Sequence, residues 1–312
     1  MLDIRRLEVL LKVVEQGSVT AAAEAMTYTP SAVSQQLRRL ELEVGMPLLQ
    51  RHARGMVPTE AGHVLAVHAR KVFRQMAAAE SDLRDIAGLR RGSLELGTFP
   101  TVGSSFLPLA VKRFRQLYPS IQLHIRSARE AELIEMLEEG SVGLSMLWDY
   151  EWGRIQSDQL SLTTLFTDPT VLVVAADHPL AGRRQVSMET LADEPWIIRS
   201  NDHPVVEVLD RSALAAGFEP QIAFQANDYQ EAQAMVSVGL GVALAPRTAV
   251  VNKHPNVRIV SLGDTAPHRR VLVAHRLDRV RAATEMAFQQ VLSDIAAGYD
   301  PDTGRVLDEP GS

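Results

Sequence analysis

The 312-residue sequence contains no cysteine. This absence excludes a disulfide framework, a thiolate zinc site and a thiol redox switch. The sequence also lacks an uninterrupted apolar run of about 18 residues, the length that a membrane-spanning helix needs. Its first ten residues, MLDIRRLEVL, do not have the pattern of a signal peptide. We therefore expect a cytoplasmic protein with no membrane partner.

Charge is unevenly distributed along the chain. The net charge of −6 argues against nucleic-acid binding, but residues 1–90 hold 12 Lys/Arg against 10 Asp/Glu, whereas residues 91–312 hold 20 against 28. A basic-leaning front and an acidic remainder fit a short DNA-binding head on a larger body. The length itself predicts two or three domains.

The first 45 residues predict three short helices. Apolar residues recur at helical spacing from Ile4 to Val14, and Gly17 ends that helix. Ser18 is a suitable N-cap for the second helix, and Thr29 for a third that begins at Pro30. Two short helices joined by a tight turn are typical of a helix-turn-helix.

The third helix has two different faces. Its apolar face carries Val33, Leu37 and Leu40. Its opposite face carries side chains that can bond to bases or phosphates: Ser31, Gln35, Arg38 and Arg39, with Ser34 on the flank. A merely solvated helix face remains the alternative, because Gln and Arg are good helix formers anywhere. The following segment favours DNA binding, since Arg51 and Arg54 lie just before a turn at Gly55, a pattern that predicts a wing.

The run SVTAAAEAMTYTPSAVSQQLRRLELEVGMPLLQRHARGMVPTEAG resembles the winged head of LysR-type transcriptional regulators. The resemblance implies an N-terminal all-α winged helix-turn-helix domain at 1–58. It implies DNA contacts from Pro30, Ser31, Ser34, Gln35 and Arg38. The sequence departs from the family at Leu49, where Phe is usual, and we expect the head core to tolerate this change.

A long linker helix is predicted at 59–90, where no proline occurs after Thr59. Apolar residues follow a heptad seam. The predicted dimerisation residues are Leu65, Val72, Met76, Ala79, Leu83 and Ile86. An internal helix is the alternative, but a dimer would hold two heads about 34 Å apart, as a palindromic DNA site requires.

Residues 91–300 alternate between strand-like and helical patterns, which predicts a two-lobed, doubly wound α/β effector domain. This body is similar to the family's periplasmic-binding-protein-like domain. The resemblance implies one lobe at 91–163 plus 266–300 and a second at 164–265. The implied effector contacts are Thr101, Ser104, Trp148, Arg199, Asn201, His203, Asn227 and Asp228. For each of these, a role in helix capping, a turn or packing is the alternative.

Apolar residues from Val142 to Trp148 suggest an apolar pocket wall and an aromatic or otherwise apolar effector. The scattered histidines provide no metal spacing, and no catalytic constellation or dinucleotide fingerprint is present, so we expect no cofactor, no metal and no enzymatic activity. Residues 301–312 form a polar segment that we expect to be disordered.

These features together predict a ligand-responsive, sequence-specific transcriptional regulator that binds double-stranded promoter DNA. As the resemblance implies, a small-molecule effector between the lobes would rearrange a homodimer, or a tetramer built as a dimer of dimers, and alter access of RNA polymerase. The alternatives are a solute-binding protein, an enzyme on the α/β body and an architectural DNA protein without an effector.

Overall fold

The computed structural model describes residues 2–52, 55–86, 92–199, 204–263 and 266–307. The chain divides into two compact units, residues 1–81 and 82–312. Within the described segments, no helix combines the length and the apolar character that crossing a bilayer requires.

The first unit is a small helical head with a β-hairpin. Its elements are α1 (Ile4–Gln16), α2 (Val19–Ala25), α3 (Pro30–Val44), β1 (Leu49–His52), β2 (Gly55–Pro58) and the start of α4 (Glu60–Ile86). The predicted caps are present: the Ser18 hydroxyl accepts a bond from the Ala21 amide, and the Thr29 hydroxyl accepts one from the Ala32 amide. Gly17 ends α1 with a positive φ of 63°.

Apolar side chains from all four helices form one core in the head. Leu10, Val33 and Leu40 are completely buried there, and Ala69 of α4 is 1% exposed. Leu49 also belongs to this core, as expected. Complete burial of a Leu side chain contributes about 1.5–3 kcal/mol, so these residues supply much of the stability of the head.

The second unit is an α/β domain. Its strands are β3 (Gly92–Thr98), β4 (Ile121–Ser127), β5 (Leu144–Tyr150), β6 (Leu160–Ala175), β7 (Pro195–Arg199), β8 (Gln221–Ala226), β9 (Ala243–Pro246), β10 (Val257–Ser261), β11 (His268–Arg276), β12 (Tyr299–Asp300) and β13 (Arg305–Val306). Its helices are α5 (Pro100–Gly103), α6 (Leu107–Leu117), α7 (Glu130–Glu138), α8 (Pro204–Ala215), α9 (Tyr229–Ser237) and α10 (Ala283–Gly298).

Strand β6 passes from one group of strands to the other. Its first half pairs with β11, which continues through β5 and β3 to β4. Its second half pairs with β10 on one side and β9 on the other, and β9 lies beside the parallel pair β7–β8. We call the β4–β3–β5–β11 group the first lobe and the β10–β9–β7–β8 group the second lobe. The two-lobed α/β fold is confirmed.

The sheets are mixed, although the apolar strands suggested parallel pairing. β3 pairs in parallel with β4 and β5, but β11 is antiparallel to both β5 and β6. The physical reason is that β6 and β11 carry the chain across between the lobes in opposite directions. The apolar pattern predicts only the second part of β6, from Thr170. It does not predict the first ten residues of the strand, where polar residues interrupt the apolar run.

The expectation of a disordered C-terminal segment is wrong for residues 301–307. Tyr299–Asp300 pairs with Arg305–Val306 in a short hairpin, and Asp302 forms an ion pair with Arg247. A positive φ at Gly304 makes the tight turn possible. Residues 308–312 lie outside the described part of the chain.

Candidate functional site

The division of α3 into two faces is confirmed. Val33 and Leu40 are completely buried and Leu37 is nearly so, whereas the opposite side is open. The exposed residues on that side are Pro30, Ser31, Gln35, Arg38 and Arg39, and Ser34 is half-buried. The structure therefore presents one row of hydrogen-bonding side chains on a helix that is anchored from behind.

The β1–β2 hairpin is the predicted wing. Ser34 and Arg38 face a surface groove of about 610 Å³ that they share with Arg51 of this wing. Ser18 and Thr20 of the first turn of α2 line the same groove. Three of the predicted DNA residues, Ser34, Arg38 and Arg51, thus meet at this groove from α3 and β1, while Arg54 lies outside the described residues. Sequence reasoning missed Thr20, although its place in the helix that precedes the recognition helix could have indicated it.

Backbone contacts fix the wing relative to α3. The Glu41 carboxylate of α3 accepts hydrogen bonds from the amides of Leu48 and Leu49, at 2.9 and 3.3 Å. The Met56 amide donates to the Gly17 carbonyl at 2.8 Å. The recognition helix α3, the wing and the turn at Gly17 are consequently held as one rigid surface, which is the preorganisation that a binding site needs.

The predicted dimerisation seam divides into two parts. Leu65 packs against the head core, so it contributes to the head itself. Val72 and Met76 are 42% and 45% exposed, and Ala79 is also exposed. The side chains of Leu83 and Ile86 lie outside the described part. Two large apolar side chains one turn apart thus form an apolar stripe on α4.

A buried ionic cluster lies where β6 and β11 run side by side between the lobes. Arg269 stands directly opposite Asp168 in the strand register, and the two are 2% and 0% exposed. The Arg269 Nε donates to Asp168 Oδ2 at 3.0 Å. Asp168 also accepts bonds from the amide and the hydroxyl of Thr248, at 3.1 and 2.7 Å.

Thr101, the leading effector candidate, lies in this cluster. Its hydroxyl accepts a 2.6 Å hydrogen bond from Arg269 Nη2, which also donates to the Thr248 hydroxyl at 3.0 Å. Burial is the largest single influence and lowers the pKa of the guanidinium, but Asp168, Tyr150 and Tyr229 together outweigh it, so the pKa lies above its ordinary value. The guanidinium therefore stays charged in its ion pair with Asp168.

Sequence reasoning missed Arg269, Asp168 and Thr248. The ion pair joins residues that are 101 positions apart. A signal did exist, because two consecutive arginines directly precede the apolar stretch of β11. Neighbouring residues of a strand point to opposite faces, so Arg269 and Arg270 cannot both face solvent on a covered sheet.

Arg270 forms a second ion pair on the opposite face of β11. It binds both oxygens of Asp149 at 2.8 and 2.6 Å, and Arg154 donates to the same carboxylate at 2.8 Å. Burial raises the pKa of Asp149, yet these arginine bonds lower it more, and the carboxylate stays ionised. This cluster holds the end of β5 in place.

The other predicted effector residues are more dispersed. Trp148 is 7% exposed and packs against Phe99, with ring centroids 4.5 Å apart. Ser104 is exposed and lines a separate apolar groove beside α6. Arg199 stacks over the Tyr229 ring at 5.1 Å. Residues Asn201 and His203 lie outside the described part.

Two of the predicted residues have capping roles. Asp228 is the N-cap of α9 and accepts bonds from the amides of Gln230 and Glu231, each at 2.8 Å. Asn227 is exposed, and its amide and side chain both donate to Glu231. These observations agree with the capping alternative raised from the sequence.

The expected apolar pocket wall is wrong for most of its residues. Val142, Leu144, Met146 and Leu147 are at most 1% exposed and belong to the main core of the second unit. Strand β5 is buried on both faces, so its apolar side chains meet neighbouring core residues. They give no support to an apolar effector.

Comparison with known proteins matches both units. Residues 4–63 match the family described as bacterial regulatory helix-turn-helix protein, lysR family, and residues 87–296 match the LysR substrate binding domain. The HTH-type transcriptional regulator CbbR of Sinorhizobium medicae (strain WSM419) is 29% identical, over 96% of this chain and 95% of its own. The DNA-binding transcriptional dual regulator OxyR of Escherichia coli (strain K12) is 27% identical, over 98% and 99%.

A solved structure has the same fold. Full-length CbnR complexed with its target DNA superposes with a TM-score of 0.72 at 18% identity, covering 94% of this chain and 99% of CbnR. The two family matches together span the head and nearly all of the α/β domain. The chain belongs to the LysR family of transcriptional regulators and is a DNA-binding protein with an effector-binding domain, not an enzyme.

Proposed function

We propose that α3 enters the major groove of a promoter site with Gln35 and Arg38 against the base edges. Pro30, Ser31 and Ser34 approach the backbone at the start of the helix. The observation that carries this proposal is the burial of Val33, Leu37 and Leu40 behind an open polar face. Gln can bond adenine and Arg can bond guanine, each through two hydrogen bonds.

The wing and the first turn of α2 complete this surface. Arg39 and Arg51 are exposed cations that bind phosphates, as does Arg54 in our proposal. Ser18 and Thr20 are at the N-terminus of α2, where free amides attract phosphate oxygens. Contacts to phosphate supply affinity and register, whereas contacts to bases supply specificity.

We further propose a division into a head at 1–58, a linker helix at 59–90 and an effector domain at 91–300. Val72 and Met76 lie on an exposed apolar stripe that a second copy of the chain covers in the dimer. Two dimers form a tetramer, which acts in the cytoplasm and alters access of RNA polymerase. The effector binds between the lobes, near Thr101, and changes the DNA-bound arrangement.

We do not propose thiol-based peroxide sensing for this chain. Some relatives are named hydrogen peroxide-inducible genes activators, and one solved OxyR structure is described as a cysteine mutant with bound H₂O₂. The present chain has no cysteine. A cysteine sulfur is required for a sulfenic acid or a disulfide, so this chain responds to a different signal.

Two substitutions in α3 test the DNA assignment. Gln35→Ala and Arg38→Ala should each weaken binding to the cognate promoter by about 1–3 kcal/mol, roughly 5- to 150-fold, and relax the base preference at one position. Binding is measured by fluorescence anisotropy at fixed salt. Gln116→Ala and Arg113→Ala, exposed residues of α6, are the matched controls and should leave affinity unchanged. Wild-type affinity in both α3 variants would reject the assignment.

A further inference from the structure

The C-terminal hairpin of β12 and β13 has its base in the first lobe. It follows α10 directly, and the Leu307 amide donates to the Gly298 carbonyl of that helix at 2.7 Å. Tyr299 is 7% exposed, and its ring centroid lies 5.0 Å from that of Phe106 and 4.9 Å from that of Phe166. Because α10 itself packs against α6, the base of the hairpin is fixed to the first lobe.

The loop of the hairpin is held in one shape by its own residues. The Asp300 carboxylate accepts hydrogen bonds from the Asp302 amide and the Thr303 hydroxyl, each at 2.9 Å. The Asp300 carbonyl accepts a third bond, from the Gly304 amide, at 2.8 Å. Aspartate and glycine are typical turn residues, and Gly304 has a positive φ of 67°. The hairpin is therefore a preformed element that can transmit force between its base and its tip.

The tip of the hairpin binds the second lobe. Arg247–Val250 is a short 3-10 turn directly after β9, and Val250 is 3% exposed in the core of the second lobe. The Arg247 Nε lies 2.9 Å from Asp302 Oδ1, and the Arg247 Nη2 donates to the Asp302 carbonyl at 2.9 Å. One arginine of the second lobe thus binds both the side chain and the main chain of the hairpin tip.

Two further contacts lie beside this arginine. Gly304 packs closely on Val251, since a Cβ added to the glycine would lie 2.4 Å from the Val251 Cγ1. The next residue, Asn252, donates from Nδ2 to the Ser104 carbonyl at the end of α5, at 3.3 Å. The segment that follows β9 is therefore fastened to the first lobe both through the hairpin and next to it.

These contacts restrain a motion that the fold otherwise permits. The crossing strands β6 and β11 join the lobes, and lobes connected in this way rotate about such strands unless other contacts oppose the rotation. The hairpin opposes it away from the strands, because its base belongs to one lobe and its tip is bound to the other. Rotation of the lobes would pull Asp302 away from Arg247.

We propose that the C-terminal hairpin is a strap that holds the two lobes of the effector domain in the arrangement seen here. This inference rests on the proposed function, because it concerns how the effector response is regulated. A ligand that changes the lobe arrangement must release the strap, so the strap sets the binding free energy that the change requires. The strap is reversible, since Asp302 is exposed and an exposed ion pair favours one state by at most about fivefold.

The distance between the lobes tests the proposal on the full-length protein. Because the chain has no cysteine, Gln116→Cys on α6 and Val238→Cys after α9 place one spin label on each lobe at exposed positions. Labelled chains are mixed with excess unlabelled protein, so the distance measured by double electron–electron resonance lies within one chain. Arg247→Ala should broaden the distance distribution and raise the ratio of released to strapped molecules by about two- to fivefold.

Arg276 is the matched control arginine. It pairs with the exposed carboxylate of Asp278 and donates to the Glu138 carbonyl at 2.9 Å, so it makes the same two kinds of contact as Arg247. These contacts stay within the first lobe, and Arg276→Ala should therefore keep the wild-type distance distribution. An equal change in Arg276→Ala, or an unchanged distribution in Arg247→Ala, would overturn the proposal.

A crosslink gives a test without labels. A Cβ on Gly304 would lie 3.5 Å from the Val251 Cβ, which is within the range that a disulfide spans. Val251→Cys/Gly304→Cys should therefore form a disulfide under mild oxidant, since replacing Val251 also removes the methyl group that would collide. Adding Arg247→Ala should slow disulfide formation, and adding Arg276→Ala should not. No disulfide in the first protein, or equal rates in all three, contradicts the proposal.

The variants are compared only after their tryptophan fluorescence shows a cooperative unfolding transition. If Arg247→Ala fails this condition, Gly304→Ala takes its place, because its Cβ would push the hairpin away from Val251. Promoter binding separates this proposal from the proposed function. If the protein binds its promoter but the strap variants keep the wild-type distance, only the strap is wrong. If wild-type protein does not bind promoter DNA, the proposed function itself fails, whatever the distance between the lobes.

Discussion

Replacing Asp168 by Asn should strongly destabilise the effector domain. The substitution preserves the shape of the side chain and an oxygen acceptor for the Thr248 amide, but it removes the negative charge. Arg269 is 2% exposed and Asp168 is its carboxylate partner at 2.9 Å. The guanidinium would then remain charged and buried without compensation, because its pKa lies far above any working pH.

The expected loss of unfolding free energy follows from the burial of both Asp168 and Arg269. Removing one member of a buried ion pair costs about 3–5 kcal/mol, because the other charge loses its solvation without a replacement. In a domain of this size each kcal/mol lowers the Tm by about 2–4 °C, so a fall of about 6–20 °C is expected. By contrast, Asp278→Asn removes an exposed carboxylate paired with Arg276, which is worth at most about 1 kcal/mol.

Tryptophan fluorescence is a specific assay for this domain. Trp148, Trp152 and Trp196 are all the tryptophans in the chain, and they lie in the second unit. Urea denaturation gives the free energy of unfolding of the wild-type protein, of Asp168→Asn and of Asp278→Asn. A loss below 1 kcal/mol for Asp168→Asn would refute the reasoning. The double variant Asp168→Leu/Arg269→Met removes both charges and should recover part of the loss.

Two further predictions concern the head and the pH dependence of stability. Gly55 has a φ of 127°, and an added Cβ would lie 2.4 Å from the Gly17 carbonyl oxygen. Gly55→Ala should therefore displace the wing at a local conformational cost of about 1–3 kcal/mol. The displaced wing should weaken DNA binding as measured by fluorescence anisotropy. Gly182→Ala, with open space around it, is the control and should bind normally. Burial lowers the pKa of His275 to about 4, and neighbouring arginines add to this effect. The contribution of His275 to the free energy of unfolding is therefore complete above pH 6.5 and is lost as the pH falls towards 4. Because the ring is partly exposed and screened by solvent, the free energy of unfolding changes by less than about 1.4 kcal/mol per pH unit. His275→Gln should flatten urea-unfolding stability between pH 7 and 5 relative to wild type, and identical pH profiles would contradict this assignment.

Local patterns predicted the head well. The spacing of Val33, Leu37 and Leu40, the cap at Thr29 and the proline after it are all short-range signals that the structure reproduces. In a single amphipathic helix, 3.6-residue periodicity directly specifies which side is buried. The strands from β3 to β11 and the helices α6 to α9 were predicted for the same reason, apart from the first part of β6, whereas α5, α10 and the C-terminal hairpin were not.

Long-range pairing was not accessible from one sequence. Nothing near Asp168 indicates that Arg269 will lie opposite it, because that neighbour depends on the antiparallel register of two crossing strands. The expectation of an apolar pocket wall was wrong for a related reason: strand β5 is buried on both faces, so its apolar residues belong to the core. The hairpin at 299–306 also depends on contacts with distant residues, such as Arg247 with Asp302.

The sequence by itself determined the family, the two-part organisation and the two faces of α3, because each of these depends on residues within a few turns of one another. Only the tertiary structure decided the charge of the interlobe region. An arginine at the start of a strand is neutralised, exposed or available to a ligand according to which strands pair beside it. Here β6 and β11 bring Asp168 to one edge of the Arg269 guanidinium and leave its far end to Thr101.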